Sequence, residues 1–193
     1  EEVTEEQKEA DMSYYREVLK RHVFANGGKQ YIAKNPSFSP KVRTLHQKFP
    51  DAKFINLVRS PLRVIPSSVS MFSNHWQTYG EPTGEYPEPG PEIMQEQAKH
   101  WYVYPHKYLK NLPPEQYMMV RYQDLVADPQ ITVENIYNRF GLTITDEFQQ
   151  VLELESEKAK HFKSKHHYSL RKMGLDSRKL KKDFKSAMKE FGI

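Results

Sequence analysis

Two spacings of apolar residues alternate along this chain. Over residues 4–24, Tyr15, Val18, Leu19 and His22 recur at helical intervals within a polar background. Asn26-Gly27-Gly28 then supplies a helix stop, because glycine takes the left-handed cap conformation without strain. Tyr31-Ile32-Ala33 reads as a short buried strand, and residues 41–48, after the prolines 36 and 40, as a short helix. Phe54-Ile55-Asn56-Leu57-Val58 is almost continuously apolar, as strands covered on both faces of a parallel sheet are. Ser60-Pro61 is a cap and first-turn pair that opens a helix with Val64, Ile65, Val69 and Phe72 on its apolar face. Pro66 is expected to bend that helix.

Residues 78–91, rich in proline, glycine and glutamate, read as a surface insertion, and residues 94–108 as a helix carrying Trp101, Tyr102 and Tyr104. Tyr117-Met118-Met119-Val120 is a second strand. Asp128-Pro129 caps a helix with Val133, Ile136, Tyr137 and Phe140 at positions i, i+3, i+4 and i+7, which Gly141 ends. Phe148, Val151 and Leu152 mark another helix. From Asp176, one last helix places Leu180, Phe184, Ala187, Met188 and Phe191 on a single stripe. Strands alternating with helices predict an α/β class with a mostly parallel sheet. Residues 1–193 are expected to form a single domain, with an N-terminal helix over 1–28.

Charge alters this picture at one end. The 193 residues carry a net charge of +4. Residues 158–193 hold twelve Lys/Arg and three Asp/Glu, hence +9, and the preceding 157 residues carry 4 − 9 = −5. A basic end predicts an anionic partner, or else a solvated helix face. The chain contains no cysteine, which excludes a disulfide scaffold, a thiolate zinc site and a cysteine nucleophile. No apolar run approaches the ~20 residues of a membrane-spanning helix. The acidic start, Glu1-Glu2-Val3-Thr4-Glu5-Glu6, lacks the basic and apolar regions of a signal peptide, so the chain reads as processed or trimmed. The expected compartment is the cytoplasm, or the Golgi lumen in a eukaryote.

The chemistry is concentrated after the first apolar strand. In an open α/β sheet, ligands bind beyond the carboxyl ends of the strands. Arg59 stands at such an end, and the next helix aims its unpaired N–H groups at the same place. Ser67 follows eight residues after Arg59. A permanently charged bidentate donor and a hydroxyl at a helix start suit a phosphate. The alternative is that Arg59 pairs with a carboxylate and Ser67 only packs.

Lys34-Asn35-Pro36, Phe49-Pro50-Asp51-Ala52-Lys53-Phe54-Ile55 and Arg59-Ser60-Pro61 with Ser67 together resemble the sulfotransferases that use 3′-phosphoadenosine 5′-phosphosulfate (PAPS). Val120-Arg121-Tyr122-Gln123-Asp124-Leu125 with Asp128-Pro129, and Ile136-Tyr137 to Phe140-Gly141-Leu142, resemble the family's next two segments. His166-His167-Tyr168-Ser169-Leu170, Gly174-Leu175 and Phe191-Gly192-Ile193 resemble the end of a group with bacterial members. The resemblance covers residues 29–193 and implies a P-loop-NTPase-like parallel sheet flanked by helices. It also implies that Arg59 and Ser67 grip the 3′-phosphate and that Tyr122 lies against the adenine. Lys163, Lys165 and His166 fall at a C-terminal phosphate contact, or else in a solvated basic loop.

Two departures accompany the resemblance. The family's 5′-phosphosulfate loop cradles its anion with backbone N–H groups. Here Val23 stands where such a loop needs its first glycine, so Asn26-Gly27-Gly28-Lys29 is read as a helix stop. The expectation is a C-terminal part of a longer enzyme, lacking its first strand and loop; the alternatives are that those parts come from another polypeptide or have been lost, and in each case the chain is expected to be inactive alone. The second departure is Ser37-Phe38-Ser39 where relatives carry a base histidine. Lys34 is the expected catalytic cation, stabilising charge on the leaving nucleotide's bridging oxygen, or else a lysine facing water. His75 and His100 are weaker base candidates. Trp76, Tyr79 and Trp101, with Phe72, are candidates for lining the acceptor cleft, although core packing is the commoner fate of such aromatics. His161, His166 and His167 lack carboxylates at ligand spacing, so no metal is expected.

The expected reaction is in-line transfer of a sulfuryl group from PAPS to a hydroxyl or amine. Two other classes stay open. A P-loop-type small-molecule kinase shares the sheet and the strand-end arginine, but needs a Walker loop and Mg²⁺. A basic module for RNA or an acidic partner would bind with steep salt dependence and independently of Arg59.

Overall fold

The computed structural model describes residues 3–79, 90–161 and 168–193, and the side chains of all of these except 73–79. The chain falls into two compact units, Glu1–Ala52 and Lys53–Ile193.

The first unit is built on helix α1 (Glu5–Ala25), whose Thr4 hydroxyl accepts from the Gln7 amide at 3.1 Å. Gly27 and Gly28 adopt φ of +70° and +75°, and the Gly28 amide bonds back to the Val23 carbonyl at 2.9 Å. The glycine pair is thus a helix terminator. A 3₁₀ turn over Pro36–Lys41 leads into α2 (Val42–Lys48). Tyr15 meets Phe38 and Phe49 edge-on at 5.6 and 6.0 Å, and Lys48 bonds both Glu9 and Ser13 across the two helices. Tyr31-Ile32-Ala33 is not a strand. Residues 29–35 are irregular and exposed, with Ile32 76% accessible. Three apolar residues without a pairing strand leave backbone donors and acceptors to water.

The second unit contains strands β1 (Phe54–Val58) and β2 (Tyr117–Arg121), paired in parallel with Phe54 opposite Tyr117 and Val58 opposite Arg121. Helices α3 (Pro61–Tyr79) and α4 (Gly90–Leu109) lie between them in the chain, as a parallel pair requires a crossover. Ser60 occupies the cap position of α3, its carbonyl accepting from Arg63 and Val64, and Pro61 and Pro66 are fully buried. α5 (Tyr122–Ala127) follows β2 without a break, then α6 (Pro129–Phe140), capped by Asp128 and closed by Gly141 at φ +63°, and α7 (Asp146–His161).

The expected final helix is two helices, α8 (Ser177–Asp183) and α9 (Lys185–Phe191), broken at Phe184. The apolar stripe runs through the break, so periodicity alone does not register it. Phe184, 1% exposed, packs with Ile65, Val69, Ala98, Leu175 and Leu180 in the principal core cluster. Ala187 and Phe191 of α9 pack on Val58 at the end of β1. β1 also differs from expectation. Ile55 and Leu57 are 48% and 49% exposed, so the strand is covered on one face rather than both.

Candidate functional site

The pairing register builds the site. Val58 faces Arg121, so Arg59 and Tyr122, the residues that directly follow the two strands, leave the sheet at the same end. Arg59 is exposed and Tyr122, the first residue of α5, is half-buried. The Arg59 guanidinium carbon stands 4.2 Å from the Tyr122 ring centroid, within the range of a cation–π stack. The strand ends are held from both sides. Arg121 makes a two-pronged contact with Asp124, Nε to Oδ2 at 2.6 Å and Nη2 to Oδ1 at 3.1 Å. On β1, the Tyr102 hydroxyl donates to the Arg59 carbonyl at 2.5 Å.

Tyr102 has a role that helix periodicity does not assign. Its neighbour Trp101, expected at the acceptor cleft, is half-buried on α4. Tyr102 instead reaches back 43 residues to the strand end while its ring meets Phe184 edge-on at 5.5 Å. Burial pushes its hydroxyl pKa well up, against the lowering effect of the Arg59 charge, so it stays a protonated donor.

Ser67 is half-buried on α3, and its hydroxyl donates to the Tyr168 oxygen at 3.4 Å, across 101 residues of sequence. Sequence reasoning assigns Tyr168 no role. Its one signal is its place in the family-like segment His166-His167-Tyr168-Ser169-Leu170. The site therefore brings together Arg59 with Tyr122, and Ser67 with Tyr168. Lys34 is exposed in the irregular segment of the first unit. His100 is exposed and stacks on Tyr104 at 4.9 Å. The side chains of Trp76, Tyr79 and His75, and the residues Lys163, Lys165 and His166, lie outside the described residues.

Chemically, the described groups suit one phosphate of a nucleotide. They offer a fixed positive charge, a hydroxyl on the adjoining helix and an aromatic face beside the charge. Among the described residues, no helix is long and apolar enough to cross a membrane.

The chain as a whole is similar to known proteins. Over 126 residues the chain is 28% identical to the ω-hydroxy-β-dihydromenaquinone-9 sulfotransferase Stf3 of Mycobacterium bovis and of Mycobacterium tuberculosis. The match covers 63% of this chain and 31% of those proteins, so the chain spans about a third of the curated relatives' length. Its fold is similar to that of sulfotransferase STF9 from Mycobacterium avium, with a TM-score of 0.74, 20% identity, and coverage of 86% of this chain and 43% of that one. It is also similar to sulfotransferase STF1 from Mycobacterium tuberculosis H37Rv, with a TM-score of 0.65, 25% identity, and coverage of 85% and 41%. Both likenesses accord with the P-loop-NTPase-like sheet expected from sequence. The model of the sulfotransferase family matches residues 1–146, three quarters of the chain and both strands included, and the chain belongs to that family.

Proposed function

We propose that this chain supplies the 3′-phosphate and adenine side of a PAPS site in an enzyme that moves a sulfuryl group to a hydroxyl or amine. The observation that carries the reading is the Arg59–Tyr122 stack at the carboxyl ends of two in-register parallel strands, with Ser67 on the helix that follows. Arg59 and Ser67 would hold the 3′-phosphate. Adenine would lie on the face of Tyr122 opposite the guanidinium. When bound, PAPS supplies the activated sulfuryl group. The protein's part is to bind and orient it and to place positive charge where the nucleotide leaves. Lys34 is our candidate for that charge, Lys163, Lys165 and His166 for further phosphate contacts, and Trp76, Tyr79 and Trp101 for the acceptor cleft. A hydroxyl acceptor on an apolar molecule is supported by the Stf3 relatives, whose name gives an ω-hydroxy menaquinone derivative as substrate.

Calorimetric titration with adenosine 3′,5′-bisphosphate and with AMP tests the reading, for the wild type and for Arg59→Ala. Tighter binding of the bisphosphate, lost in the variant, is the expected result. Equal affinity for the two nucleotides in the wild type would overturn it.

A further inference from the structure

Ser67 and Tyr168 meet through their hydroxyls although they lie 101 residues apart in the chain. The two hydroxyl oxygens stand 3.4 Å apart. Paired hydroxyls normally sit at about 2.7–2.8 Å. The contact is loose, yet the segment bearing Tyr168 is anchored. Leu170, two residues on, packs against the principal core, and its carbonyl accepts from Met173 at 3.1 Å and Leu175 at 2.9 Å. Gly174, at φ +68°, closes that turn. Ser67 is equally fixed, because its own helix contributes Ile65 and Val69 to the same core. Neither backbone can close the gap without disturbing that packing, whereas both hydroxyls can turn about their C–O bonds.

We propose that Tyr168 is a direct ligand of the 3′-phosphate and helps to select it. The inference rests on the donor-site reading above. Without nucleotide, Ser67 donates to Tyr168. With nucleotide, both hydroxyls turn to donate to the phosphate oxygens, where O–H···O⁻ bonds are shorter and stronger than a neutral hydroxyl pair. Arg59 supplies the charge, while the two hydroxyls fix where on the ribose that charge is read. A tyrosine suits the task because its long side chain carries the oxygen across to the helix face of Ser67.

The test compares adenosine 3′,5′-bisphosphate, adenosine 2′,5′-bisphosphate and AMP by calorimetry, on the wild type, Tyr168→Phe and Ser67→Ala. Tyr168→Phe keeps the ring. The expected result is a loss of about tenfold in affinity for the 3′,5′ isomer alone, with the 2′,5′ isomer and AMP unchanged. Ser67→Ala should produce a similar loss, and the two changes should combine non-additively because the hydroxyls share one anion. If the wild type prefers the 3′,5′ isomer and Tyr168→Phe preserves that preference, the role of Tyr168 is overturned and the donor-site reading stands. If Tyr168→Phe weakens all three nucleotides equally, Tyr168 is a brace and not a ligand. If the wild type shows no preference for the 3′,5′ isomer over AMP, both inferences fall together.

Discussion

Replacing Tyr102 by phenylalanine removes one hydroxyl and leaves a ring. The ring keeps its edge-on contact with Phe184 at 5.5 Å and its place against two buried clusters. What is lost is the 2.5 Å bond to the carbonyl of Arg59. A hydrogen bond of this kind contributes about 0.5–1.5 kcal/mol net. Arg59 is exposed, so water can take over the carbonyl, and no large penalty for an orphaned buried acceptor applies. The expected cost is about 1 kcal/mol, close to fivefold in the balance between anchored and released strand ends. Released conformers do not present Arg59, so affinity for adenosine 3′,5′-bisphosphate should fall by at most about fivefold, in proportion to the competent population. Affinity for AMP should not change. Because burial raises the Tyr102 pKa, the hydroxyl remains a donor across the neutral range, and the effect should be equal at pH 6 and pH 8. Urea unfolding and nucleotide titration of the variant and the wild type provide both numbers. Unchanged stability would refute the hydrogen bond. A loss of 3 kcal/mol or more would show that ring packing had changed and that the hydroxyl is not the anchor.

Three other expectations concern different links between structure and function. Arg59→Lys keeps the charge but loses the planar group that stacks on Tyr122 at 4.2 Å, so titration should show bisphosphate affinity lowered by about tenfold; wild-type affinity would mean that a point charge suffices. Phe184→Ala opens a cavity in the principal core and should cost about 3–5 kcal/mol in denaturant unfolding, where a loss below 1 kcal/mol would contradict the packing described. The Asp183 carboxylate, held by Lys99 at 3.2 Å and by Gln95 at 2.7 Å, has a pKa lowered from 3.8, chiefly by its bond to Lys99. A depressed folded pKa means that its stabilisation is complete above the unfolded value and lost as pH falls through the folded one. Asp183→Asn should therefore be less stable than the wild type at pH 6, and the gap should narrow below about pH 4; melting curves showing a constant gap would argue against the pair.

The parts of this protein legible in its sequence are those set by near neighbours. Thr4, Asp128 and Asp176 cap helices with side chains that reach amides two or three residues ahead. Gly27, Gly28 and Gly141 stop helices by adopting positive φ. The strands at 54–58 and 117–121 are compact apolar runs, and the end of the first run is enough to put Arg59 at a strand terminus. Such signals act within one helical turn or one strand length, so a linear pattern contains them.

What only the tertiary structure decided is whatever depends on partners far along the chain. Residues 31–33 have as apolar a sequence as a short strand, yet they pair with no strand and stay exposed. Ile55 and Leu57 belong to a run typical of two-sided burial, yet their face remains half open. The register of β1 against β2 sets Arg59 beside Tyr122, and packing alone brings Tyr102 to the Arg59 carbonyl and Tyr168 to Ser67. Apolar periodicity says that a face will be buried. It carries no information on which distant face buries it, because the energy of burial is non-directional and is settled only when the elements pack.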